Sequence, residues 1–267
     1  MMTAAIRDPV GVNGPARLIA AMLTQLNRQF ELQPPRALLH WALETFGPHV
    51  ALGTGFGPTG IVLMHMVTQI RPETTIFYLD TGLLFSETYD LRDRLEAQLG
   101  IRLTRLYFND PPAEQAPGLW QHDPNACCHL RKVVPLRRFL ADKDAWITGL
   151  RRDQSPGRAQ TQLLEWSIAN QVVKLNPLAN WREDQVWAYI QAHELPYNPL
   201  HDEGYPSLGC WPCTRPVQPG ETNRAGRWAG MEKTESGIHF EGGRMQRRQR
   251  EDARPRTGDG SLRVRGG

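Results

Sequence analysis

Along most of its length the chain alternates short apolar runs with stretches of helical periodicity, and few folds accommodate that order. The predicted strands are residues 49–52, 74–79, 101–108, 145–149 and 172–178. The predicted helices are 18–26, 38–46, 61–70, 86–100, 127–141 and 181–195. Strands that alternate with helices predict an α/β fold, with a mostly parallel twisted sheet and flanking helices.

Local signals refine two of these helices and the position of the ligand site. Ser86 is the predicted N-cap of helix 86–100, and Gly100 is its predicted end. Pro135 predicts an interruption of helix 127–141. Right-handed crossovers bring the carboxyl ends of parallel strands to one edge of the sheet, so we expect the loops there to bind a ligand.

Composition and charge exclude several classes of protein. The hydrophobic content of 40% and charged content of 22% are typical of a soluble globular protein. No apolar run approaches the 18 or more residues of a membrane span, and residues 1–17 lack the apolar core of a secretory signal, so we expect a cytoplasmic protein without a membrane partner.

The positive charge is concentrated at the C-terminus. Residues 240–267 carry eight arginines against four acidic residues, a net +4, whereas the whole chain carries +3, which leaves −1 for the rest. The main part of the chain therefore gives no electrostatic reason to expect a nucleic acid partner. The Gly- and Arg-rich tail is predicted to be disordered, either as an arm for an anionic partner or as a solvated extension. Residues 1–14 are predicted to be a flexible lead.

Two loops after predicted strands carry candidate ligand groups with open alternatives. The stretch GTGFGPTG at 53–60 lets the backbone approach an anion at the start of a helix, although a plain glycine-rich turn reads the same way. In LDTG at 79–82, Asp80 can bind a ribose, an amine or a metal, or it can cap the next loop.

A third loop, TGLRRDQSPGR at 148–158, crowds three arginines at the expected ligand edge. Arg151, Arg152 and Arg158 can pair with phosphate or sulfate through the planar guanidinium fork. A solvated run of charge is the alternative, but the neighbouring Gly, Ser and Pro residues favour a shaped loop.

All four cysteines lie in two pairs, Cys127-Cys128 and Cys210-x-x-Cys213. In a cytosolic protein such pairs indicate metal binding before a disulfide. Adjacent cysteines make a poor zinc knuckle, so we favour an iron–sulfur cluster, with zinc and unrelated thiols as alternatives. Basic residues near the pairs, Lys132, Arg215, Arg224 and Arg227, would surround the cluster with positive charge that can hold an anion.

These motifs together resemble the assimilatory adenylyl-sulfate (APS) reductases, the iron–sulfur branch of the phosphoadenylyl-sulfate (PAPS) reductase family. The similarity runs from about Leu38 to His239, and its most specific parts are CCHLRKVVPL, DAWITGLRRDQSP, LPYNPLHDEGYPSLGCWPCTRPV and RAGRW. The resemblance implies the adenine nucleotide α-hydrolase-like (PP-loop) fold. It also implies a single domain over 15–230 and a mobile catalytic segment over 231–239.

The resemblance also assigns residues to roles. Those implied for substrate binding are Gly53, Thr54, Gly55, Gly57, Leu79, Asp80, Thr81, Gly82, Arg151, Arg152, Asp153, Gln154 and Ser155. Those implied for catalysis are Lys132, Arg224, Arg227, His239 and the position of Ser236. Those implied as ligands of a 4Fe–4S cluster are Cys127, Cys128, Cys210 and Cys213. The serine that usually opens the family's PP-loop is not evident here.

The implied reaction converts adenylyl sulfate and reduced thioredoxin or glutaredoxin into sulfite, AMP and the oxidised donor. The family's nucleophile is the cysteine of a Glu-Cys-Gly-Leu-His segment, and here that segment reads Glu-Ser-Gly-Ile-His at 235–239. A serine hydroxyl is a much weaker nucleophile than a thiolate, and a sulfated serine would contain no S–S bond for a thiol to attack. The chain is therefore expected to bind substrate without completing reduction, whether the serine is engineered or natural.

Other functions remain open at this stage. PAPS reductase activity is one alternative, because some members with the cluster use both nucleotides. A PP-loop ATP pyrophosphatase is another, although it would not need the four cysteines. The sequence does not restrict the oligomeric state, and a homo-oligomer is compatible with it.

Overall fold

Six strands form one sheet at the centre of the computed structural model, which describes residues 15–108 and 118–239. The strands are β1 (Val50–Thr54), β2 (Thr75–Leu79), β3 (Thr104–Leu106), β4 (Ala145–Ile147), β5 (Leu164–Ser167) and β6 (Val172–Leu175). Their order is β3-β2-β1-β4-β6-β5, and every neighbouring pair is parallel except β5 with β6. The predicted mostly parallel α/β sheet is therefore confirmed.

Helices flank this sheet throughout the described part of the chain. They are α1 (Pro15–Phe30), α2 (Pro35–Phe46), α3 (Pro58–Ile70), α4 (Ser86–Leu99), α5 (Leu119–His122), α6 (Pro124–Cys128), α7 (Val134–Leu140) and α8 (Glu183–Ala192). None of the helices in residues 15–108 and 118–239 combines the length and the apolar character that crossing a bilayer requires.

The two faces of the sheet are covered unequally. Because side chains alternate along a strand, Leu52 of β1 and Ile147 of β4 join a large apolar cluster with residues of α1 to α4 and α8. Ala51 and Trp146 point the other way, into a small cluster to which α7 contributes. Ile238, near the C-terminal end of the described chain, packs against this small cluster. The thinly covered face is thus completed by residues from the C-terminal segment.

The antiparallel strand β5 was not predicted. Its sequence LEWS places one fully buried residue, Leu164, before three partly buried ones, so it lacks the apolar run that marks the other strands. It pairs with β6 through a tight connection in which Gln171 has a positive φ of 53°. A hairpin without Gly at its turn carries a weak sequence signal.

Several predicted boundaries differ from the structure. The strand predicted at 101–108 is only Thr104–Leu106. Ser86 is not the N-cap of α4 but its first residue, and its hydroxyl donates to the neighbouring Glu87 at 3.0 Å. The predicted end at Gly100 is confirmed, since this residue is left-handed with φ 65°. The predicted interruption near Pro135 is also confirmed, by a π-helical turn at His129–Val133.

Two further predictions, the flexible lead at 1–14 and the disordered tail at 240–267, lie outside the described residues.

Helix α1 covers the outer edge of β5 with one side chain. The amide of Asn27 donates to the carbonyl oxygen of Leu164 at 2.7 Å and accepts from its N–H at 3.0 Å. This pair of bonds resembles those of a neighbouring strand, so both groups of Leu164 are satisfied without another chain.

Replacing Asn27 should therefore destabilise the fold. Asn27→Ala leaves a partly buried N–H and C=O without their partner, and we expect the free energy of unfolding to fall by about 1–3 kcal/mol. Urea denaturation followed by circular dichroism measures this change. Thr24→Ala on the same helix is the matched control, because its exposed hydroxyl bonds only within α1, and its effect should stay within about 0.5 kcal/mol. Equal effects of the two substitutions would contradict the role of Asn27.

Candidate active site

A cavity of about 300 Å³ opens at the carboxyl ends of β1 and β4. The sheet order reverses between these two strands, because β2 and β3 lie on one side and β6 and β5 on the other. Open α/β sheets bind ligands at such a reversal. The stretch 53–60, which begins in the last two residues of β1, and the loop 149–158, which follows β4, both contribute to the cavity wall.

The glycine-rich loop presents its backbone to the cavity. A Cβ atom at Gly53 would lie 2.6 Å from Nε1 of Trp146, and one at Gly60 would lie 2.7 Å from Oγ1 of Thr54. Side chains are thus excluded at both positions. Gly53, Thr54, Gly55 and Gly57 all line the cavity, and α3 begins directly after them. Main-chain N–H groups at a helix N-terminus favour an anion, and the loop has the open backbone that such an approach requires.

The LDTG loop reaches the cavity with one of its four residues. Leu79 lines the cavity, whereas Asp80, Thr81 and Gly82 do not. Asp80 accepts hydrogen bonds from the Gly82 N–H, from Tyr89 and from Arg105. Burial acts to raise the pKa of Asp80, but these three bonds outweigh it and hold the pKa below its ordinary value. Of the two roles open to Asp80, the structure shows the loop cap.

The arginine loop also reaches the cavity in part. Arg151 and Gln154 line it, and so does Arg158, which the resemblance did not assign. Arg152 instead pairs with Glu31 at 2.7 Å. Two other assigned residues of the loop, Asp153 and Ser155, do not line the cavity either. The carboxylate of Asp153 accepts from Arg151 and from the first N–H of α8, which fixes the loop against that helix.

Three predicted basic residues meet at the cavity from separate parts of the chain. Lys132 comes from the π-helical turn, and Arg224 and Arg227 come from the loop after the second cysteine pair. Arg227 donates to the carbonyl oxygen of Leu208 at 2.8 Å and lies over the ring of Trp228. Burial and the nearby Arg158 lower the pKa of Arg224 to about 10. Such crowding of cations indicates a site for an anion.

The C-terminal segment 234–239 lies over the cavity and brings Ser236 to its wall. Before Ser236, the carboxylate of Glu235 accepts three hydrogen bonds of 2.8–3.0 Å from Arg158 and lies 3.3 Å from Arg224. Gly237, directly after Ser236, has a φ of 90°, which a residue with a side chain rarely adopts.

A second anchor follows Ser236. The ring of His239 stacks on Trp146 with centroids 5.2 Å apart and planes 8° apart, and Lys174 donates to the carbonyl oxygen of His239 at 3.3 Å. Ile238 contacts the small apolar cluster. Both ends of the short stretch that carries Ser236 are therefore held, and Ser236 lines the same cavity as Lys132 and Arg227.

The four cysteines surround a second, much smaller cavity of about 10 Å³ next to the first. All four are buried and none forms a disulfide. Burial raises the pKa of Cys127, and burial together with Cys210 raises the pKa of Cys213 to about 11. Thr81 lies 3.2 Å from the sulfur of Cys210. Within residues 15–108 and 118–239, no three His, Cys, Asp or Glu side chains are arranged to hold a metal ion.

Several residues of the main cavity were not predicted from the sequence. Among them are Thr59, Trp146, Glu183, Trp187, His201 and Asn223. Arg158, by contrast, was a candidate from the arginine loop, although the resemblance gave it no role. Trp146 had no signal in the sequence, because its role depends on the close approach of Gly53 from the neighbouring strand.

Comparison with known proteins places this geometry among sulfonucleotide enzymes. Residues 49–216 match the family described as the phosphoadenosine phosphosulfate reductase domain. The adenosine 5'-phosphosulfate reductase of Salinibacter ruber is 55% identical over 222 residues, which cover 81% of this chain and 88% of that protein. The phosphoadenosine 5'-phosphosulfate reductase of Gloeobacter violaceus is 45% identical over 224 residues, which cover 81% and 93%.

A solved structure agrees with these sequence matches. The phosphoadenylyl-sulfate reductase of Candida auris, crystallised as a phosphate complex, has a TM-score of 0.65 and 30% identity, covering 72% of this chain and 96% of that one. The predicted adenine nucleotide α-hydrolase-like fold is thus confirmed, together with the sheet topology.

Docking of the C-terminal segment should weaken at low pH. Burial, with Lys174, Arg158 and Arg224 nearby, lowers the pKa of docked His239 well below its ordinary 6.5. The undocked imidazole therefore binds a proton more readily, and below pH 6.5 each further unit favours the undocked form by up to about tenfold. Methyl resonances of Ile238, followed by NMR between about pH 7.5 and 5, report the docked fraction.

The control is His239→Phe, which keeps an aromatic ring against Trp146 but has no proton to gain. Its Ile238 resonances should not change over the same range. A parent protein whose Ile238 signals are equally constant would contradict the assignment of this pH dependence to His239.

Proposed function

Because the chain belongs to the phosphoadenosine phosphosulfate reductase family, we propose that it binds adenylyl sulfate in the cavity over β1 and β4. The observation that carries the proposal is the position of residue 236, which lies on the wall of a cavity also lined by the glycine-rich loop and by Lys132 and Arg227. The glycine-rich loop and the N-terminus of α3 offer N–H groups to the substrate's anion. Lys132 and Arg227 neutralise charge that builds up on the leaving phosphate.

The proposed family reaction needs a thiolate at position 236. The thiolate attacks the sulfuryl sulfur of adenylyl sulfate, an S–S bond forms, and the S–O bond breaks with its electron pair leaving on AMP. One thiolate of a reduced dithiol donor, thioredoxin or glutaredoxin, then attacks the protein sulfur and sulfite leaves. The second donor thiolate resolves the mixed disulfide, so the donor supplies both electrons.

With Ser236 in this position, the chain should hold substrate without reducing it. A hydroxyl needs an activating base to attack, and the sulfate ester it would form has no S–S bond for the donor to break. The proposal is therefore a sulfonucleotide-binding member of an oxidoreductase family whose turnover is blocked at one atom.

We further propose that Cys127, Cys128, Cys210 and Cys213 hold a 4Fe–4S cluster. Four buried thiols from two segments border one cavity, and burial raises the pKa of Cys127 and of Cys213, so these two thiols need a positively charged partner to ionise. Cys127 and Cys128 are adjacent in sequence, and adjacent cysteines make a poor zinc knuckle, which favours a cluster over zinc. When bound, the cluster supplies a covalent link between the two segments and a fixed charge beside Lys132.

PAPS is the second candidate substrate, because the relative from Gloeobacter violaceus is named for it at 45% identity. The four reduced cysteines also fit a cytoplasmic location, where thiols stay reduced.

Restoring the thiol should restore reduction. We expect Ser236→Cys to release sulfite from adenylyl sulfate with reduced thioredoxin, at a rate on the order of 10³-fold or more above the serine form, because the soft nucleophile is essential. The serine form should still bind adenylyl sulfate, which isothermal titration calorimetry measures. Ser236→Ala is the control and should bind substrate without releasing sulfite.

Two results would contradict this function: sulfite release by the serine form at the rate of the cysteine form, or no binding of adenylyl sulfate or PAPS by either. Parallel assays with PAPS decide between the two nucleotides.

The cluster has a separate test. Anaerobically purified protein should carry about four irons and four sulfides per chain and absorb broadly in the visible range. Cys213→Ser should lower the iron content. A colourless protein with one zinc per chain would show that the cluster assignment is wrong.

A further inference from the structure

The basic side chains at the cavity fall into two groups by their partners. Arg158 and Arg224 are both paired with Glu235. In the part of the chain that the structure describes, neither Lys132 nor Arg227 has a carboxylate partner, although both line the same cavity. The first pair is occupied by the C-terminal segment, and the second remains for an anionic ligand.

The Arg158–Glu235 contact has the geometry of a built connection. The guanidinium donates to both carboxylate oxygens, with Nη2 2.8 Å from each and Nε 3.0 Å from Oε1. The side chains are only 9% and 21% exposed. Two-pronged pairs of this kind restrict orientation as well as distance, and breaking one when it is mostly buried leaves a charge without compensation.

Arg158 is itself fixed to the sheet from behind. Its Nη1 donates to Oε1 of Gln154 at 2.6 Å, and Nε2 of Gln154 donates to the carbonyl oxygen of Gly149 at 3.1 Å. Gly149 lies just after the end of β4. The side chains of Arg158 and Gln154 therefore connect Glu235 to the end of a central strand.

Arg224 supports the same carboxylate and also the main chain. It donates to the carbonyl oxygen of Thr234 at 3.1 Å in addition to pairing with Glu235. A free anion in the cavity would offer no equivalent of that backbone bond. The two arginines therefore recognise the segment itself and do not merely balance the charge of one carboxylate.

We propose that Arg158 and Arg224 are positioning residues that act through Glu235 to hold position 236 over the cavity, while Lys132 and Arg227 face the anion of the substrate. This inference rests on the proposed function for its effect on reaction rate. It departs from the sequence resemblance, which implied a catalytic role for Arg224 and left Arg158 without a role. Ile238 and His239 supply the anchor on the far side of position 236.

The first test needs no substrate. In the Ser236→Cys protein, the introduced thiol is alkylated with iodoacetamide, and we expect Glu235→Gln and Arg158→Met each to raise the alkylation rate by about tenfold, because either change frees the segment. The two substitutions alter the local charge in opposite directions, so a purely electrostatic effect on the thiolate would move the rates in opposite directions. Rates that move apart, or that stay unchanged, would overturn the proposal.

The double variant adds a further check. Because both substitutions remove the same contact, Glu235→Gln with Arg158→Met should raise the rate less than the product of the two single effects. Multiplicative effects would show that the two residues act independently. Glu232→Gln is the matched control. Glu232 is exposed just before the segment 234–239, and its substitution should leave the rate unchanged.

The second test separates positioning from substrate binding. In the same Ser236→Cys background, Glu235→Gln and Arg158→Met should each lower kcat for sulfite release by about 10- to 100-fold. KM should change less than about threefold, because a misplaced nucleophile lowers the rate and not the affinity. Lys132→Ala, which removes a contact to the substrate's anion, should raise KM as well as lower kcat. Arg158→Lys, which keeps the charge but not the fork, should recover part of kcat.

A different kinetic result would identify Glu235 as a competitor of the substrate. If Glu235→Gln lowers KM several-fold and leaves kcat unchanged, the carboxylate occupies the anion site and the positioning role is overturned. If the Ser236→Cys parent releases no sulfite at all, the proposed function fails. The alkylation rates still decide whether the contact between Arg158 and Glu235 holds position 236.

Discussion

The parallel pairing of β1 with β4 is the interaction on which the rest of this site depends. Val50, Ala51 and Leu52 align with the three residues of β4, and this register carries the glycine-rich loop and the arginine loop to the same edge. It also sets Trp146 against Gly53 so closely that no side chain fits between them. The backbone wall of the cavity and the aromatic surface that receives His239 are thus two results of one strand pair.

The C-terminal segment docks because the sheet leaves it a place. Helices α1 to α4 and α8 bury one face, whereas α7 alone among the described helices contributes to the small cluster on the other face. Ile238 and His239 cover part of what remains. Lys174, although on a buried strand, ends its side chain at the carbonyl of His239 and at Glu165, so its charge is compensated. Position 236 is therefore held by neighbouring residues that also complete the core.

Local sequence patterns predicted much of this architecture, and long-range geometry accounts for what they missed. Apolar runs identified five of the six strands, and for β1, β2, β4 and β6 the reason is that burial on both faces leaves a continuous signal. Strand β5 escaped because its residues after Leu164 are only partly buried. The four cysteines and the basic residues Lys132, Arg224 and Arg227 were recognised by motif, and the structure brings them to adjoining cavities. Asp80 and Arg152 were assigned to substrate but bond within the protein, because sequence shows which loop reaches the edge and not which way each side chain turns.

Lys132 and Trp228 belong to the walls of both cavities. The cysteine cavity and the larger cavity are consequently separated at these points by single side chains. Oxidation of a cysteine to a bulkier, acidic form would press on that partition and attract the lysine away from the other side. A change at the sulfur atoms would then reach the larger cavity through these two side chains, without passing through the six-stranded sheet.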